Sequence, residues 1–126
     1  MTGAGLLRMT GIEGIAGDGG RRYNKKMESL NKDITIRKLQ EYIKGKDYKP
    51  GLEQGYFMKL VEEVGELAEV IRKDKRLGED DDIKGTIAEE LYDILYYVLA
   101  LANLYNVDLE RSCLLKEEVN RKRTRR

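Results

Sequence analysis

A chain of 126 residues, 40% apolar and 37% charged, is the size of one domain with one core. Its formal net charge of +1 gives no global case for nucleic-acid binding, and its single cysteine, Cys113, excludes an intrachain disulfide. The absence of histidine removes imidazole bases, Ser–His and Cys–His pairs and histidine-containing zinc sites. Carboxylates are left as the obvious catalytic groups, with Mg²⁺ or Mn²⁺ as their natural cofactors.

One proline, few β-branched runs and abundant Leu, Glu, Lys and Ala favour helix over sheet. Residues 1–20 carry seven of the thirteen glycines among scattered apolar residues, so 1–30 is expected to be a flexible tail. No strand precedes these glycines and no Lys-Ser or Lys-Thr follows them, which argues against a phosphate loop. Met27 offers an internal start, and no charged segment followed by an apolar one marks a signal peptide.

The helical domain is expected over 31–126. Ile36, Leu39, Tyr42 and Ile43 recur at helical spacing, predicting a short helix over about 34–45, with Asp33 as a candidate N-cap and Gly45 as its end. Pro50 and Gly51 form a turn. A long helix is predicted over about 53–76, with Leu60, Val64, Leu67 and Ile71 as its apolar stripe and Gly78 closing it. Gly65, in mid-helix, predicts a close helix–helix approach. An acidic loop leads to a second long helix, about 83–105, striped by Ile87, Leu91, Ile94, Val98, Leu101 and Tyr105. Asn106-Val-Asp108 breaks it, and Asp108 can cap a last helix over about 109–122.

The expected fold is therefore all-α: a bundle of about four helices in which two long antiparallel helices lie side by side. Tyr92, Tyr96 and Leu99 lie away from the second stripe, which predicts a surface covered by a second copy, most simply in a homodimer. The longest apolar run, Ile94 to Ala102, is far short of the roughly 20 residues of a membrane span. The expectation is a cytoplasmic protein.

Each long helix carries an acid-x-x-acid pair. At about 100° per residue from Leu60, Glu63 falls near 300° and Glu66 near 240°; from Ile87, Glu90 and Asp93 fall at the same two angles. One such pair is ordinary solvated helix surface. Two at matched phase can converge at the edge of a stripe-to-stripe pair, as ligands do in di-metal carboxylate bundles. Unit charges about 4 Å apart repel by about 4 kcal/mol at an effective dielectric near 20, so convergence calls for protons or a cation. The segment from Glu62 to Asp93 has twelve acids and five bases, whereas Lys116 to Arg126 has six bases and two acids. A cation site beside a phosphate-binding arm and plain surface patterning both fit that asymmetry.

Phe57-Met-Lys-Leu-Val-Glu-Glu-Val-Gly-Glu-Leu-Ala68 resembles the first motif, EExxE, of the MazG-like nucleotide pyrophosphohydrolases. Glu89-Glu90-Leu-Tyr-Asp93 resembles their second, ExxD, and Lys116, Asn120 and Arg123 resemble their C-terminal K-x3-N-x2-R pattern. The resemblance spans about 35–123. It implies an all-α, dimeric or tetrameric, Mg²⁺-dependent enzyme (Mn²⁺ substituting) that hydrolyses NTPs or dNTPs to the monophosphate and pyrophosphate.

By that resemblance Glu63, Glu66, Glu90 and Asp93 are metal ligands. Glu62 and Glu63 are catalytic, Glu62 through a second metal or by orienting water, although its helical angle near 200° points away from the core. Lys116, Asn120 and Arg123, on one helix face, would bind phosphates. Tyr97 can contact phosphate or sugar, or simply pack; Lys59 suits a surface ion pair better than a phosphate. Phosphoribosyl-ATP pyrophosphohydrolases share the carboxylate motifs but have histidine where Tyr97 stands. A non-catalytic helical interaction module is the other alternative. With no tryptophan and Phe57 as the only phenylalanine, no base-stacking pair indicates a nucleobase, and no specific nucleic-acid binding is expected.

Overall fold

A computed structural model of the protein describes residue 30 and residues 33–124. Apart from Leu30, the glycine-rich tail lies outside the described residues. Those residues form four helices and no strand: α1 Ile36–Lys46, α2 Glu53–Arg72, α3 Ile87–Leu104 and α4 Leu109–Thr124. None is long and apolar enough to cross a membrane.

Local chemistry sets the ends. α1 is capped by Thr35, whose hydroxyl accepts the Lys38 N–H at 3.1 Å, and not by Asp33. It runs through Gly45 and stops at Asp47, whose extended backbone leaves the helix. α2 ends four residues earlier than the glycine signal predicts. Asp74 takes the left-handed conformation (φ 52°), Asp74 N–H donates to Ile71 O and Lys75 N–H to Val70 O, which closes the helix in a Schellman motif without glycine. Asn106 (φ 55°) ends α3 in the same way, with Val107 N–H on Ala102 O. α3 starts later than expected because Thr86 caps it, accepting the Glu89 N–H, while Glu89 reaches back to the Gly85 N–H at 2.7 Å. Asp108 caps α4 as expected, accepting the Arg111 N–H.

The chain returns on itself where Ile87 N–H donates to Lys75 O at 2.8 Å, so α2 and α3 run antiparallel along one another. α1 packs on another side of α3, with Asn103 Nδ2 donating to Gln40 O at one end and Tyr96 Oη to Asp47 at the other. α4 docks by its first turn: Arg37 pairs with Asp108 at 2.9 Å and with Glu110 at 3.3 Å, and Leu109 N–H donates to Gln40 Oε1. Its Leu114, Leu115 and Val119 are exposed.

The core is Leu39, Tyr42, Ile43, Tyr56, Tyr96, Tyr97, Leu99 and Ala100. It corrects the expected stripes. On α2 the buried line is Tyr56, Glu63 and Val70, with Leu60 and Leu67 only half-buried and Val64 and Ile71 exposed. On α3, Tyr96 and Leu99 are fully buried whereas Leu91 is 53% exposed. The cause is α1. It covers the Tyr96–Leu99–Asn103 side of α3, so the surface expected to be covered by a second copy is filled within the chain. Of Tyr92, Tyr96 and Leu99, only Tyr92 is exposed. Nor does Gly65 mark a close approach within the chain, because a Cβ there would meet nothing within 4 Å.

Candidate metal centre

Because the buried face is rotated, the acids sit inside the α2–α3 seam and not at its edge. Glu63, Glu90 and Asp93 are 1%, 4% and 3% exposed, and each offers an oxygen within 4.8 Å of the others. Glu63 comes from the middle of α2; Glu90 and Asp93, one turn apart, come from the start of α3. Burial pushes the Glu90 carboxyl up to about 8, assisted by a hydrogen bond with Glu63 and by the charges of Glu63, Asp93 and Glu89. Near neutral pH this group therefore holds a proton that an ordinary glutamate has lost.

Such a site is costly unless protons or a cation compensate it. A divalent cation fits the residues present. The donor set is all carboxylate oxygen, and one Glu90 oxygen, Oε2, is buried without a hydrogen bond.

The other expected site residues lie outside this triad. Glu66 is half-buried one turn beyond Glu63 and is not among the converging oxygens. Glu62 is exposed and pairs with Lys59 at 3.8 Å, the surface ion pair expected of that lysine. Tyr97 is 4% exposed, its ring edge-on to Tyr56 and to Tyr96 in the core. Lys116 and Arg123 are exposed on α4; Asn120 is half-buried and donates to Glu117 at 3.2 Å. α4 packs on α1 and makes no comparable packing with α2 or α3, so one chain does not lay the basic arm against the helices that carry the acids. A recess lined by Arg37, Gln40, Lys44, Asn103, Asn106 and Asp108 lies at the opposite end of α3 from Glu90 and contains none of the triad.

Asp47 escaped the sequence reading. Its carboxylate accepts hydrogen bonds from the hydroxyls of Tyr56 on α2 and Tyr96 on α3. The usable signal was Tyr56 seven residues before Glu63, on the same helix face.

These features define an all-α protein with a buried carboxylate cluster shared by two antiparallel helices. Residues 53–126 match the family model of the MazG nucleotide pyrophosphohydrolase domain. The chain is 32% identical to dCTP pyrophosphatase 1 of Rattus norvegicus, over 87% of this chain and 72% of the relative. It is also similar to crystal structures of iMazG from Vibrio DAT 722. One is 51% identical with a TM-score of 0.65, covering 70% of this chain and 99% of that one; another is 50% identical with a TM-score of 0.66, covering 71% and 97%. The chain belongs to the MazG nucleotide pyrophosphohydrolase family.

Proposed function

We propose that the protein is a Mg²⁺-dependent nucleoside triphosphate pyrophosphohydrolase that cleaves between the α- and β-phosphates, releasing the monophosphate and pyrophosphate. The observation that carries this reading is the convergence of buried Glu63, Glu90 and Asp93 in a family of nucleotide pyrophosphohydrolases. Those three residues, with Glu66 at the solvent side, would hold the cation. Bound there, Mg²⁺ (or Mn²⁺) would offset charge developing on the pyrophosphate leaving group and acidify water.

The chain's own groups do the rest. Glu63 and Glu62 are the catalytic carboxylates of this reading, Glu62 acting from the exposed side to orient the attacking water and accept its proton. Lys116 and Arg123 hold phosphates, Asn120 adds a directional hydrogen bond, and Tyr97, one turn after Asp93, contacts phosphate or sugar. A homodimer or a tetramer built from it accounts for the exposed Val64, Ile71 and Leu91 and for Leu114, Leu115 and Val119 on α4. The same reading makes the protein a cytoplasmic enzyme of nucleotide-pool housekeeping.

The relative's name makes dCTP the first substrate to assay. The experiment is pyrophosphate release from each NTP and dNTP, with Mg²⁺ and with chelator. Metal-dependent turnover of at least one nucleotide is expected. Absence of turnover for all of them by a folded protein defeats the reading.

A further inference from the structure

The α2–α3 seam poses a question of register. Sliding one helix by a residue turns its side chains by about 100° and shifts them by about 1.5 Å, enough to part Glu63 from Glu90 and Asp93. Glu63 and Glu90 share a hydrogen bond across the seam, but the triad otherwise brings carboxylates together, which is a weak hold on that register. The cohesive contact lies elsewhere along the same seam. Asp47, at the end of α1, takes the Tyr56 hydroxyl on Oδ1 and the Tyr96 hydroxyl on Oδ2, the latter at 2.7 Å. Tyr56 is 7% exposed and stands two turns before Glu63; Tyr96 is fully buried and stands three residues after Asp93. Tyr97 fills the space between, 6.3 Å from the Tyr56 ring and 5.2 Å from the Tyr96 ring. Lys46 lies over the Tyr42 and Tyr96 rings and fixes the same end of α1.

We propose that Asp47 is a positioning residue for the carboxylate triad: one carboxylate from α1 bridges the Tyr56 and Tyr96 hydroxyls and so locks α2 and α3 in the register that brings Glu63 to Glu90 and Asp93. The inference rests on the reading of the triad as a metal centre. It assigns no contact between Asp47 and metal or substrate. Its effect passes through the helices, as supporting residues around metal ligands act on the ligands they orient.

The test compares the full-length wild type with Asp47→Ala, Asp47→Asn and the Tyr56→Phe/Tyr96→Phe pair. Helix content is followed by circular dichroism and Mn²⁺ binding by titration calorimetry. Asp47→Ala is expected to keep its helical signal and to bind Mn²⁺ about ten-fold or more weakly, the usual cost of losing such support. Asp47→Asn, which can still join both tyrosine oxygens, is expected within about three-fold of wild type, because its amide accepts one hydrogen bond and donates another. The double phenylalanine variant should match Asp47→Ala, and it decides the matter if Asp47→Ala fails to fold. Wild-type Mn²⁺ affinity in either overturns the positioning role, as does an equal loss in the Ala and Asn variants.

The metal-centre reading fails separately, if the wild type takes up no Mn²⁺. The clamp is then judged on thermal unfolding. Tyr56→Phe and Tyr96→Phe should be non-additive in the wild type and additive in Asp47→Ala; additivity in both backgrounds overturns it.

Discussion

Two stretches of the α2–α3 seam use carboxylates to opposite effect. In the tyrosine stretch, Asp47 meets two hydroxyl donors, and these hydrogen bonds tie the end of α1 to α2 and α3. In the acidic stretch, oxygens of Glu63, Glu90 and Asp93 converge within 4.8 Å of one another, and burial pushes the Glu90 carboxyl up to about 8. A buried carboxylate is thus cohesive or disruptive according to the donors that face it, and not according to its depth. The arrangement makes sense if the acidic stretch is completed by a cation and the tyrosine stretch by the fold itself.

The largest expected effects come from breaking the acidic stretch. Glu63→Gln or Asp93→Asn should lower turnover by on the order of 10²-fold or more, while the folded protein keeps its helix content. Activity near wild type in either would remove that residue from the site. Next is the arm: Lys116→Ala with Arg123→Ala should raise KM for the nucleotide by about ten-fold, the worth of roughly one charge-assisted hydrogen bond, with a smaller change in kcat. An unchanged KM would leave α4 as solvated surface.

The contrast also predicts a pH dependence. In the metal-free protein the Glu90 carboxyl is raised in the folded state, so the native state binds more protons than the unfolded one between the ordinary glutamate range and about pH 8. Stability is therefore highest in this respect at low pH and is lost as pH rises through that window. Thermal melts should show the metal-free midpoint falling from pH 5 to pH 8, less steeply in Glu90→Gln and less steeply with Mg²⁺ present, because a ligand that binds the native state stabilises it. Parallel pH curves for wild type and Glu90→Gln would contradict the raised carboxyl. The smallest effect belongs to the cap that starts α3. Thr86→Ala should destabilise by about 1 kcal/mol in denaturant unfolding, and the loss should be similar with and without metal.

Much of this was legible in the sequence, for identifiable reasons. Helix existence followed from 3.6-residue periodicity, and Asp108 announced its cap. The motifs led to Glu63, Glu90 and Asp93 because acid-x-x-acid spacing keeps a pair on one helix face. The phase of the core was not legible. A two-helix stripe counts Val64 and Leu91 as interior, and only the packing of α1 on α3 puts Tyr96 and Leu99 inside instead. The end of α2 was misjudged because left-handed Asp74 closes the helix, a role for which glycine is the usual signal, whereas the break of α3 at Asn106 was legible. Asp47 was invisible because its two partners lie 9 and 49 residues away and meet only in the folded chain.

The hydrogen bond from Ile87 N–H to Lys75 O has a practical consequence. It fastens the helix pair at the base of the 76–85 loop, so the loop's length is decoupled from the geometry of the seam. Extra residues there add only a slowly growing closure entropy. A peptide tag or a small reporter domain inserted within 79–82 should leave the carboxylates where they are, which makes this loop the natural site for attaching a probe to the protein.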